Sequence, residues 1–166
     1  MAFIDTDEFI RIKDGRTLKE ILASISNSSV GVYIPWEMHG ADCQEFKTIG
    51  GMRERFPTVV CMDGRGKCIV RTKDVKIMYP HWPFMQEHLM VNINGSPLID
   101  WMHGIDCGVV LEHYYTRSWE EWQNKITRGC CMPDALKRID EFFEYNPNME
   151  YLREKVDCSV RQKYNH

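Results

Sequence analysis

No stretch of this 166-residue chain approaches the roughly 18 consecutive apolar residues that span a bilayer. Met1-Ala2-Phe3-Ile4 meets a charge at Asp5, too early for a signal-peptide core, and Ala2 stands where N-myristoylation requires glycine. The chain also has little net charge. Twenty-one Lys and Arg against 24 Asp and Glu give −3, with no long run of either sign, so no basic face is available to grip nucleic acid. Paired Cys-x-x-Cys spacings are missing as well, which excludes the common zinc frameworks. The seven cysteines, an odd number spread along the chain, read as free thiols of a reducing compartment, with adjacent Cys130-Cys131 as the redox candidate. Internal repeats, low-complexity tracts and Pro/Gly-rich linkers are absent. One domain covering residues 1–166, cytoplasmic by default, is the expectation.

What the chain does contain is core material. Its hydrophobic fraction is 43% and its aromatic fraction 11%. A chain of this length can hide roughly 70% of its unfolded surface, so metal or disulfide staples are not needed for folding.

The pattern predicts strands mixed with helices and a helical tail. A β-prone element runs from Ala2 to Ile12 but breaks its pattern with Asp5, Asp7 and Glu8, before a turn at Asp14-Gly15. Thr17 with Glu20 three residues on is a capping box, and Leu18, Ile21, Leu22 and Ile25 keep helical spacing behind it. Val30–Trp36 alternates like a strand, with Pro35 pointing to its end or to a sheet edge. Periodicity is weak over 39–62, with one helical turn around Met52–Arg55. Cys68–Val70, Leu89–Ile99 folded back at Asn94-Gly95, and Gly108–Tyr115 read as strands. Ser118 and Glu121 form a second capping box, Trp119, Trp122 and Ile126 share a face, and Gly129 ends that helix. A further helix is predicted from Pro133 to Asn146-Pro147, and a last one from Met149 to Val156.

Chemistry concentrates at Asp5-Thr6-Asp7. Placed at the end of an apolar strand, the two carboxylates would share a face by strand alternation and could share one hard cation, which would also relieve their mutual repulsion. Arg117 and Ser118 stand at a helix start whose backbone N–H groups suit a phosphate, and Lys125 and Arg128, three apart on that helix, can converge on one anion.

Ile4-Asp5-Thr6-Asp7-Glu8-Phe9-Ile10, followed by a helix with Leu18 and Leu22, resembles the D-x-D-E-F segment of glycosyltransferases of GT-A fold, in the family 2-like and family 92-like group. His113-Tyr114-Tyr115-Thr116-Arg117-Ser118-Trp119-Glu120-Glu121-Trp122 with Lys125-Ile126-Thr127-Arg128-Gly129 is similar to that group's H-Y-x-[TR]-[KR]-S-x-E-E-[FW]-x-x-K-x-x-R-G stretch. Trp36, Gly40, Lys67–Arg71 and His81 match looser landmarks between them.

The resemblance implies an α/β fold, the metal- and acceptor-side second half of a GT-A domain, with the donor-base-binding half supplied by a missing N-terminal segment or a partner chain. It implies transfer of a sugar from a nucleotide-diphosphate donor to a glycan or other hydroxyl acceptor, with Mn²⁺ or Mg²⁺ held by Asp5, Asp7 and His113. Arg117, Ser118, Lys125 and Arg128 would contact the diphosphate. If configuration inverts, a base must take the acceptor's proton, and Glu37, Asp100 and Asp106 are the candidates. Two rivals stand beside this reading. One is a non-catalytic or partner-requiring transferase remnant that binds carbohydrate or protein. The other is a haloacid-dehalogenase-like phosphatase with Asp5 as nucleophile and Asp7 as acid/base, which fits less well because Phe9 occupies a position where that motif takes Thr or Val.

Overall fold

In the computed structural model the described residues are 1–84, 90–98, 104–129 and 138–156, and they form a mixed α/β protein. They gather into two compact units, Met1–Met38 with Cys61–His113, and His39–Val60 with Tyr114–His166.

The first unit is built on a mixed sheet in the order β1 (Glu8–Ile12), β7 (Val109–His113), β2 (Gly31–His39), β3 (Val59–Val70), with the two-residue β6 (Met90–Val91) also pairing β2. β1 runs antiparallel to β7 with Glu8 opposite His113, and β7 runs parallel to β2 with Met38 opposite the same histidine. β4 (Ile77–Met78) and β5 (Pro83–Phe84) form a separate two-stranded ladder. Val30, Tyr33, Cys68, Val70, Met90 and Leu98 fill one core under the sheet.

The capping box at Thr17 forms as its spacing predicts. Thr17 Oγ1 accepts from the Glu20 N–H and the Glu20 carboxylate accepts from the Thr17 N–H, starting α1 (Leu18–Ser24). No glycine closes α1. The Arg71 guanidinium does so from just past the end of β3, donating to the carbonyls of Ile25, Ser26 and Ser29 at 3.1, 2.9 and 2.6 Å.

Two strand expectations are corrected. Pro35 does not mark an end or an edge: it sits within β2, which is buried along its whole length between β7 and β3. The opposing Gly66 makes this possible, because a Cβ there would meet the Ile34 carbonyl oxygen at 2.0 Å, so only glycine lets β3 come that close. The amino-terminal strand is also shorter than predicted. Before Glu8 the chain makes only an isolated bridge between Ala2 and Ile69, and Asp5–Glu8 is a turn closed by the Glu8 N–H on the Asp5 carbonyl at 3.1 Å. The acids therefore precede the strand rather than follow one. The Asn94-Gly95 turn is present, organised by the Asn92 side chain accepting from the N–H groups of Asn94 and Ser96, and among the described residues the strand leading into it is Met90–Val91.

The second unit is helical. α2 (Met52–Arg55) is the single turn predicted around Met52. α3 (Trp119–Arg128) has both predicted ends, the Ser118–Glu121 capping box and Gly129 at φ +79°, a conformation that glycine takes without strain. α4 (Ile139–Tyr145) follows, and the start predicted at Pro133 lies outside the described residues. The last predicted helix is instead a 3-10 helix, Pro147–Lys155. Trp119, Trp122, Ile126, Phe142, Phe143, Met149 and Leu152 bury together with Ala41. Among the described residues no helix is long and apolar enough to cross a membrane.

Candidate active site

Register decides which polar side chains of the first unit share a face. Side chains alternate along a strand, and cross-strand partners point the same way. Pairing of Glu8 with His113, and of Trp36 with Leu111, places Glu8, Trp36 and His113 on one face. Arg11, Glu37 and Glu112 lie on the other face.

Asp5 and Asp7 lie in the turn before β1 and part company. Asp5 is exposed and its carboxylate pairs with Lys67 Nζ at 3.1 Å, whereas Asp7 is buried. The alternation predicted to put both acids on one strand face does not apply, because a turn and not a strand carries them. Glu8 receives the order that this turn imposes. Its carboxylate accepts from the Asp5 N–H at 2.9 Å and from the Trp36 indole N–H at 2.8 Å, with Lys67 Nζ 4.0 Å away. Burial pushes the Glu8 carboxyl up to about 7, against the opposing pull of the Asp5 N–H and Lys67.

The Trp36 ring lies between two imidazoles, His113 at 4.5 Å and His81 at 5.3 Å between centroids, with the Arg65 guanidinium over it at 5.6 Å. His81 Nδ1 contacts the Gly66 carbonyl at 3.0 Å, and burial lowers this ring's pKa, so it stays neutral at pH 7. Arg65 is held by Asp63. The Asp63 carboxyl, raised by burial but lowered more by Arg65, lies below its usual range.

Asp7 and His113 are thus both buried where β1 begins and β7 ends. A carboxylate and an imidazole suit Mn²⁺, and an ion that also binds a substrate's phosphates needs only one or two protein carboxylates, not a closed cage. Among the described residues Asp5, Asp7 and His113 do not bring three ligand atoms within 4.8 Å of one another.

The candidate bases fare differently. Glu37 lies on the opposite face from His113, bound by Arg11 at 3.2 Å and Lys13 at 2.5 Å, with a Glu112 carboxylate oxygen within 4.8 Å of its own. Lys13 also holds Asp106 at 2.8 Å. Burial would raise the Asp106 carboxyl, but Lys13 and the Gly108 N–H outweigh it and leave it lowered. Both acids therefore serve an ion network on the sheet's other face. Asp100 lies outside the described residues.

In the second unit the expected phosphate site at the start of α3 is already filled by the protein. The Trp119 and Glu120 N–H groups donate to the Gln44 and Glu45 carbonyls at 3.1 and 3.0 Å, the Glu121 N–H donates to Ser118 Oγ, and the Ser118 N–H and Oγ donate to the Glu121 carboxylate. Ser118 is a helix cap with no N–H left in that turn for an anion. Lys125 donates to the Tyr115 carbonyl at 2.8 Å and lies 4.7 Å over the Tyr115 ring. Arg128 is exposed. Arg117 is half-buried at φ +57°, a left-handed conformation that costs a non-glycine residue free energy.

Glu8, Lys67 and Arg65 were not predicted as site residues. The one sequence signal for Glu8 was its place as the third acid in four residues, at the point where strand character resumes.

Residues 1–164 of the chain match glycosyltransferase family 92, and the protein belongs to that family. It is a glycosyltransferase, an enzyme with donor and acceptor substrates. No curated protein and no solved structure matches the chain. Family membership sets aside the phosphatase reading.

Proposed function

We propose that this glycosyltransferase takes its sugar from a nucleotide-diphosphate donor at the face carrying Glu8, Trp36 and His113, as the metal- and acceptor-side part of a GT-A fold, with Mn²⁺ or Mg²⁺ held by Asp7 and His113 and joined by Asp5. The observation that carries this reading is the burial of Asp7 and His113 at adjoining ends of β1 and β7 in a family 92 chain. The ion would act as a Lewis acid on the diphosphate as it leaves. The chain's own residues do the rest. The turn presents Asp5 at the surface, with Lys67 offsetting its charge until substrate arrives. The Trp36 ring packs against the His113 imidazole, and Lys67 and Arg65 add positive charge to a face where phosphate charge must be accommodated. Ser118 and Lys125 of the second unit have structural work instead of a diphosphate contact. Among the candidate bases Asp100 remains, because Glu37 and Asp106 belong to the ion network on the face opposite His113. A cytosolic location is part of the same reading, supported by the free thiols of Cys43, Cys61, Cys68 and Cys107.

Mn²⁺-dependent hydrolysis of a panel of nucleotide sugars tests the proposal. Asp7→Asn and His113→Ala are expected to lower kcat at least about 100-fold, the scale of losing one group that stabilises developing charge. Turnover by these variants equal to the parent's would remove the metal role.

A further inference from the structure

The Glu8 side chain has no role in the chemistry above, yet it is buried and bonded on both oxygens, one to each of two otherwise separate parts of the site. Glu8 Oε2 accepts from the Asp5 backbone N–H at 2.9 Å, which ties down the turn carrying Asp5 and Asp7. Glu8 Oε1 accepts from Trp36 Nε1 at 2.8 Å, and the Trp36 ring is packed against the His113 imidazole 4.5 Å away. The turn and the histidine are 106 residues apart along the chain at their nearest, from Asp7 to His113, and both are tied to this one carboxylate.

The indole contributes rigidity as well as contact. It is buried, and a second imidazole, His81, meets its ring at an interplanar angle of 88°, so it cannot swing without disturbing both histidines. Lys67, itself buried, stands 3.1 Å from Asp5 and 4.0 Å from Glu8 and offsets the charge of this acidic turn.

Resting on the metal reading above, we propose that Glu8 is the positioning residue of the candidate metal centre, holding the Asp5–Asp7 turn directly and the His113 ring through Trp36. Groups that orient metal ligands in this way typically cost 10–100-fold in metal affinity when removed. Glu8 makes no bond to substrate in this role.

The test compares Glu8→Ala, Glu8→Gln, Trp36→Phe and Asp7→Asn with the parent, each first shown to be folded by circular dichroism. Mn²⁺ alone, titrated while the free ion is followed by electron paramagnetic resonance, is the probe. Glu8→Ala is expected to weaken Mn²⁺ binding at least about 10-fold, with smaller losses for Glu8→Gln, which keeps one acceptor oxygen, and Trp36→Phe, which keeps the ring and loses only its N–H donor. Graded loss in that order supports the proposal, since a general loss of stability would not follow the count of retained hydrogen bonds. Parent-like Mn²⁺ affinity in folded Glu8→Ala, with Asp7→Asn still abolishing binding, overturns the positioning role and leaves the metal reading intact. Failure of the parent to bind Mn²⁺, or binding unaffected by Asp7→Asn, overturns the metal reading and this proposal with it. Hydrogen exchange on the metal-free protein adds an independent arm. The Asp5 amide should exchange about 10-fold faster in Glu8→Ala and unchanged in Trp36→Phe, and parent-like protection in Glu8→Ala would refute the direct hold on the turn.

Discussion

The two compact units handle buried charge in opposite ways. In the helical unit, Arg55 and Glu121 form a pair with both side chains about nine-tenths buried. In the sheet unit, Glu37 and Glu112 are buried, but the cations that answer them, Arg11 and Lys13, remain 48% and 31% exposed. The titration directions follow from this. Burial alone would raise the Glu121 carboxyl, but Arg55 and Ser118 outweigh it and hold it below its usual range, whereas at Glu8 burial prevails. A helix cap whose carboxyl is held below its usual range therefore coexists, in a separate unit, with a buried carboxyl raised to about 7.

The contrast can be broken at several points. The largest expected effect is Trp122→Ala, which empties a fully buried indole site in the helical unit and should cost about 3–5 kcal/mol in urea denaturation, with little direct effect on Mn²⁺ binding. Arg55→Met comes next. It leaves Glu121 buried without its cation, and the expected loss is about 3 kcal/mol by the same measurement. Glu37→Gln in the sheet unit should cost less, about 1–2 kcal/mol, because Arg11 and Lys13 can turn to water. A loss as large as that of Arg55→Met would show that the two networks are equivalent after all.

Acid sharpens the comparison further. Glu121 has a lowered folded pKa, so its contribution is complete above the unfolded value near 4.5 and disappears as pH falls through the folded value. Far-UV circular dichroism should show α3 losing stability below about pH 4.5, and Arg55→Met should flatten that dependence. The smallest effect expected is at Thr17→Ala, which removes one exposed cap and should lower stability by about 1 kcal/mol.

How much of this was legible in the sequence depended on the range of the interaction. Both capping boxes and the Gly129 stop were readable, because their partners stand three residues apart or at a defined helix end. The acidic turn was visible as composition, but its shape was not, since the hydrogen bonds that fix it come from its own backbone and from Trp36, 28 residues beyond Glu8. Pro35 misled because the relief for its strand comes from Gly66 on another strand. Ser118 was assigned a phosphate because local sequence shows the start of a helix and cannot show that Gln44 and Glu45 already occupy it. Glu37 was a reasonable candidate base until strand register turned it to the opposite face.

The left-handed backbone at Arg117 sets a stability cost against the diphosphate contact expected from the sequence at a single position. Glycine adopts that conformation at no steric cost, so Arg117→Gly should relieve roughly 1–2 kcal/mol at the junction between β7 and α3 while deleting the guanidinium. A protein made sturdier by this exchange yet poorer at holding its donor would mark that junction as a place where the chain keeps its cation at the expense of a more comfortable backbone.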